Sequence, residues 1–120
     1  MSAAGLPPMP ERELQRAVID LAEVNAWTIA HFHDSRRQVK PGVFVGDQAA
    51  AGFPDLVMVR AHRLIFAELK GEKGRVKPDQ QVWLDLLKAC ALGREVIGDA
   101  FEVYLWRPSD WPQIARVLAR

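Results

Sequence analysis

Asp55, Glu68 and Lys70 are the residues whose types and spacing could do chemistry together. They lie in the stretch GFPDLVMVRAHRLIFAELKGEKG, residues 52–74. It holds two apolar runs of strand length, residues 56–59 and 64–69, rich in β-formers. The polar break Arg60-Ala61-His62-Arg63 reads as the turn of a hairpin. Side chains alternate across a strand, so Glu68 and Lys70 share a face and Leu69 points to the other. With Ala61-His62 as a two-residue loop, Arg60 falls opposite Arg63 and Asp55 opposite Glu68. Directly opposed residues have Cβ atoms about 5 Å apart. Two carboxylates that close repel unless a cation sits between them or one is protonated. A hard divalent ion with oxygen ligands, Mg²⁺ or Mn²⁺, resolves the conflict. The register depends on the turn. Ala-His lacks the Gly or Asn that tight hairpins prefer, and a longer loop would shift the pairing. The structural alternative for Glu68 and Lys70 is an ion pair on an exposed strand, worth about 0–1 kcal/mol. Apolar flanks and an acid from the paired strand argue against it.

The elements around this hairpin must position it. Residues 1–10 are small, Pro-containing and aperiodic, the pattern of a flexible tail. A helix is expected to begin at Pro10 or Glu11, with Leu14, Ala17, Val18, Leu21 and Ala22 as its buried stripe. Glu11 sits at the edge of that inward face, whereas Glu13 falls with Arg16 and Asp20 on the outward one. Glu11 is therefore the better site candidate; its structural alternative is an acidic residue favoured by the helix dipole. Residues 27–33, β-branched and aromatic, read as the first strand. His31 and His33 share a face there, but no third or fourth ligand accompanies them, so zinc is not expected. Residues 34–52 form a long segment carrying Arg36, Arg37 and Lys40, a length that in a compact domain is usually functional or disordered. A short strand at residues 43–45 is possible.

After the hairpin, residues 71–77 hold two glycines with Lys73, Arg75 and Lys77, a basic loop beside the site. It lacks the pattern of a P-loop. A second helix is expected from Pro78. Gln80, Trp83, Leu84, Leu87 and Ala91 share its inner face, so Gln80 is the polar residue on the buried stripe. Cys90, at helical spacing from Trp83 and Leu87, is expected to be a buried thiol. Residues 101–106 alternate as the last strand. Ser109 or Asp110 can cap a final helix over residues 111–118.

At 120 residues the chain fits one domain with a single core, residues 11–120 after the tail. No apolar run approaches the length of a membrane span, and the N-terminus lacks the pattern of a secretory signal. One cysteine excludes an internal disulfide and suits a reducing cytoplasm. The net charge of +1 hides a concentration of positive charge. Residues 34–77 carry nine basic and five acidic side chains, against two and four before them and five and six after. A local basic surface around a candidate site is the electrostatic footprint of a phosphate backbone.

Pro54-Asp55 followed by Glu68-Leu69-Lys70 is the PD-(D/E)XK signature as it stands in this chain. With Gly52-Phe53-Pro54-Asp55-Leu56, Phe66-Ala67-Glu68-Leu69-Lys70, Pro78-Asp79-Gln80, Trp83-Leu84 and Trp106-Arg107-Pro108-Ser109-Asp110-Trp111, the sequence resembles the VRR-NUC branch of that nuclease superfamily. More narrowly, it resembles the small stand-alone members of phages and bacteria. The resemblance implies an α/β, restriction-endonuclease-like core, a mixed central β-sheet flanked by helices. It implies a Mg²⁺- or Mn²⁺-dependent endodeoxyribonuclease with Asp55, Glu68, the Leu69 main-chain carbonyl and Glu11 as metal ligands, Glu11 directly or through water. Lys70 would act in catalysis and Gln80 beside the site. DNA is the implied partner; from their charge, Arg36, Arg37 and Lys40 in a DNA-contacting flap before the hairpin, and Lys73, Arg75 and Lys77 in the basic loop after it, read as phosphate contacts that position rather than specify. Four-way junctions as substrate, a homodimer and a possible helicase partner follow by the same analogy. Flap cleavage, simple nicking, or a DNA-binding helicase-associated subunit with weak or no catalysis are the alternatives.

Overall fold

The computed structural model describes residues 9–32, 37–40, 43–45, 51–95 and 100–120. The elements run α1 (Glu11–Val24), β1 (Thr28–His31), β2 (Arg37–Lys40), β3 (Val43–Val45), β4 (Leu56–Arg60), β5 (Arg63–Leu69), α2 (Pro78–Glu95), β6 (Ala100–Trp106) and α3 (Trp111–Ala119). One sheet has the order β1-β4-β5-β6, and β2 and β3 form a separate two-stranded ribbon. β1, β4 and β5 pair antiparallel in turn. β6 returns parallel to β5 after the α2 crossover, the connection that parallel neighbours require. The result is a mixed α/β fold with helices flanking a mixed sheet, compatible with a restriction-endonuclease-like core.

Strand alternation divides the sheet into two differently packed faces. Leu56 and Met58 of β4, Ile65, Ala67 and Leu69 of β5, and Trp106 of β6 point to one face. There they join Leu14, Val18 and Ala22 of α1 and Ile114, Val117 and Leu118 of α3 in the main core. The stripe read from α1 is the buried face in fact, at Leu14, Val18 and Ala22. The opposite face carries Phe66, which meets Phe53 at 5.9 Å and Phe101 at 5.4 Å between ring centroids. Phe53 in turn meets Trp83 of α2 at 5.0 Å, and Leu84 of α2 is buried apart from the main core.

Three expectations need correction. Cys90 is exposed, because α2 turns its inner face on Leu84 and leaves Val82, Leu86 and Cys90, spaced four apart, toward solvent. Asp110 does not cap α3 with its side chain; its Oδ2 accepts the Arg107 N–H at 2.8 Å instead, closing a 3-10 turn over Pro108–Asp110. The long segment has the expected short strand at residues 43–45 as β3, but it also contains β2, which pairs with it in a ribbon. Of the expected tail, residues 1–8 lie outside the described residues, whereas Met9 packs against the core. Among the described residues no helix is long and apolar enough to cross a membrane.

Candidate active site

The hairpin register is the one that a two-residue loop demands. Arg60 pairs with Arg63 and Leu56 with Ala67, which continues to Asp55 opposite Glu68. The loop closes without Gly or Asn because Ala61 itself takes a left-handed conformation, φ 53°. Far from the carboxylates, the turn end is anchored by its two arginines. Arg63 donates to both Glu102 oxygens at 2.8 and 2.9 Å and to the Val117 carbonyl at 3.0 Å. Arg60 donates to the carbonyls of Asn25 and Leu118. Both guanidinium groups lie over the Trp27 ring, at 4.5 and 4.9 Å from its centroid. These contacts tie the hairpin to β6, α1 and α3, and so fix the register at its origin.

At the other end, Asp55 is set by the residues before it. Gly52 has φ 85° and lies so close to the first turn of α2 that a Cβ there would stand 2.5 Å from the Asp79 carbonyl carbon. Only glycine fits both the conformation and the space. Phe53 fills the aromatic cluster with Phe32, Phe66 and Trp83, Pro54 is buried, and the Trp83 indole N–H donates to the Ala51 carbonyl at 3.1 Å. The Gly-Phe-Pro-Asp motif is thus a packing device that delivers Asp55 to the end of β4. Asp55 Oδ2 then accepts the Leu69 N–H at 2.9 Å, which locks the aspartate across to β5.

Glu68 and Lys70 share the expected face, but neither is an exposed strand residue. Glu68 is 1% and Lys70 8% exposed. Both Glu68 carboxylate oxygens are buried without a hydrogen-bond partner. Burial, and then the neighbouring Asp55, push its pKa up to about 9, with Lys70 pulling down and Glu11 adding to the rise. A buried unpaired carboxylate is costly, so this is the orphaned group that a cation would satisfy. The main-chain carbonyl of Leu69 lies between the two side chains in sequence. Among the described residues no group of three His, Cys, Asp or Glu side chains converges to enclose an ion. Two carboxylates, a carbonyl and solvent or phosphate oxygens fit Mg²⁺ or Mn²⁺, which keep several waters, better than a metal that needs a full protein cage.

The other candidates fall at different distances from this pair. Glu11 opens α1, and its backbone nitrogen lies 3.8 Å from where a Gly71 Cβ would stand; its charge is felt at Glu68. Gln80 uses its side-chain oxygen to accept the Lys77 N–H at 2.9 Å, a capping bond at the start of α2. Lys73, Arg75 and Lys77 are exposed on the loop that follows Lys70. Arg37 and Lys40 lie in β2, and Arg36 lies outside the described residues. Sequence analysis assigned Arg107 no role beyond its place in the Trp-Arg-Pro motif. Its Nη1 donates to the carbonyls of Gly71, Glu72 and Gly74 at 2.7, 3.2 and 2.8 Å. Only the Trp-Arg-Pro match itself could have flagged this residue.

Residues 47–98 match the model of the VRR-NUC domain, the family that the Asp55, Glu68 and Lys70 motifs resemble. The match implies a nuclease of the PD-(D/E)XK type. No curated protein and no solved structure matches the chain.

Proposed function

We propose that this VRR-NUC nuclease is a Mg²⁺- or Mn²⁺-dependent endodeoxyribonuclease that cuts branched DNA such as four-way junctions. The observation that carries the metal-dependent reading is Glu68, buried with both oxygens unpartnered, beside Asp55 and two residues before a buried lysine. Asp55, Glu68 and the Leu69 carbonyl would hold the ion, with Glu11 reaching it through water. A bound divalent ion supplies charge that polarises a scissile phosphate and lowers the pKa of a water.

The chain's own groups do the rest. Glu68 and Asp55 would hold the ion between them, and the folded hairpin keeps the two carboxyl groups opposite one another. The Leu69 N–H holds Asp55 in one orientation, so little reorganisation accompanies reaction. Lys70 places an ammonium on the same face as Glu68, where it orients the attacking water and offsets charge on the phosphate oxygens. Water attacks phosphorus and releases a proton to solvent, the P–O bond to the leaving oxygen breaks, and that oxygen takes a proton from solvent, giving a phosphomonoester and a hydroxyl end. Lys73, Arg75 and Lys77, with Arg36, Arg37 and Lys40, would contact phosphates and position the duplex rather than read its sequence. A homodimer with two such sites would suit paired incisions across a symmetric junction.

The test compares cleavage of a labelled four-way junction, a flap, a single strand and a linear duplex in Mg²⁺, Mn²⁺ and EDTA. Wild type and Asp55→Ala are run side by side. Metal-dependent cutting of the junction alone, absent in the variant, is expected. Cutting of all four DNAs would remove the branched-substrate assignment. Binding without cutting in any metal would leave a DNA-binding subunit.

A further inference from the structure

The loop that follows Lys70 is held by one side chain from the far end of β6. Arg107 Nη1 has two hydrogens and three carbonyl partners. The short bonds go to Gly71 and Gly74, and the Glu72 carbonyl at 3.2 Å shares a donor. The Ser109 N–H adds a bond to the Glu72 carboxylate at 3.0 Å, and the turn closes on itself through Gly74 N–H to Gly71 O at 3.0 Å. Arg107 is itself fixed, because its backbone N–H is taken by Asp110. The preceding residue, Trp106, accepts the Lys70 N–H at 3.0 Å and is buried. The turn folds back tightly: a Cβ on Gly74 would stand 3.4 Å from the Lys70 Cβ. Gly71 also borders the first residue of α1, Glu11.

Lys70, Glu11 and the loop bearing Lys73, Arg75 and Lys77 therefore meet around one glycine turn. Two glycines in four residues make that turn costly to order, and the Arg107 guanidinium supplies the donors that order it. We infer that Arg107 is a positioning residue for the nuclease site. It touches no reacting atom. It holds the Gly71–Gly74 turn so that the Lys70 ammonium stays on the Glu68 face and Lys73, Arg75 and Lys77 stay directed at the phosphate backbone. The inference rests on the nuclease reading for its effect on cleavage and on geometry alone for its effect on the loop.

The experiment uses the full chain with Arg107→Ala and Arg107→Lys, and Lys70→Ala as a comparison. Amide hydrogen exchange is measured without DNA, and single-turnover cleavage and DNA affinity are measured with the labelled junction in Mg²⁺. In Arg107→Ala the Gly74 amide should lose protection while the β4–β5 amides keep theirs. The cleavage rate at saturating DNA should fall on the order of 100-fold, the cost of a small misplacement at a reacting centre. Added guanidinium at millimolar concentration should recover part of that rate in Arg107→Ala and none in Lys70→Ala. Arg107→Lys keeps a cation and the stem packing, so it should fold and fall between the two. Native exchange at residues 71–77 in Arg107→Ala, or an unchanged saturating rate, overturns the inference. So does a rate loss in the lysine variant accompanied by loss of β4–β5 protection, because Arg107 would then serve overall stability. A wild-type chain that cuts none of the DNAs overturns the nuclease reading instead, and the exchange result still decides whether Arg107 orders the loop.

Discussion

Glu68→Gln should make the metal-free protein more stable while abolishing cleavage. Burial and Asp55 push the Glu68 pKa up to about 9 in the folded chain, whereas in the unfolded chain it ionises near the ordinary 4.5. The native state then binds a proton that the unfolded state has released. That contribution leaves stability whole below about pH 4.5 and removes it progressively as pH rises toward 9. One pKa unit corresponds to about 1.4 kcal/mol, so at pH 7 the penalty is on the order of 3 kcal/mol. Glutamine has nearly the same shape, carries no charge at any pH, and can donate to Asp55. Urea denaturation in EDTA should show wild type and variant within about 1 kcal/mol at pH 5 and the variant ahead by about 3 kcal/mol or more at pH 8. Added Mg²⁺ should raise the wild-type midpoint at pH 8, by mass action on the folded state, and leave the variant unmoved. A variant that is less stable than wild type at pH 8 in EDTA, or that shows the wild-type slope between pH 5 and 8, refutes the account of Glu68 as a strained, cation-seeking carboxylate.

The remaining predictions concern the scaffold that delivers the site. Gly52→Ala should cost about 3 kcal/mol or more, because the new Cβ would overlap the Asp79 backbone at a φ unsuited to alanine; a urea midpoint within 1 kcal/mol of wild type would disprove that packing. Glu102→Gln should cost about 2–3 kcal/mol at pH 7 by removing the charge partner of the largely buried Arg63. Although burial raises the Glu102 pKa, bonds from Arg63 and Tyr104 outweigh it and lower the value. The gap to wild type should therefore close as pH falls below about 4.5 in an acid-denaturation series, and a constant gap would count against the pair. Ala61→Gly should stabilise the hairpin by about 0.5 kcal/mol, since it relieves a left-handed alanine while adding backbone entropy to the unfolded chain; a loss of 1 kcal/mol in thermal unfolding would show that the alanine side chain contributes packing.

The hairpin and its acidic pair were legible in the sequence because they follow from local rules. A period of two assigns Glu68 and Lys70 to one face, and the four-residue break fixes which residues oppose one another. Once the turn closes over Ala61-His62, the position of Asp55 is arithmetic. The α1 stripe and the α2 start were legible for the same reason, a period that needs only neighbours in the chain. The burial of Cys90 was misjudged because periodicity gives the faces of α2 but not their rotation. The sheet chose Leu84 as the centre of the inner face, and that choice depends on the aromatic cluster around Phe53. Sequence could likewise mark the Gly-Phe-Pro-Asp motif without saying why glycine stands there; the reason is the backbone of Asp79, 27 residues further on. Arg107 had no local signature of its role, because its three partners lie more than 30 residues away. The sequence by itself determined the chemistry available, two carboxylates and a lysine on one strand pair with positive charge around them. Tertiary structure alone decided their state. By burying Glu68 beside Asp55, the fold pushes the pKa of its carboxyl well above the ordinary value, and no local sequence pattern announces that burial.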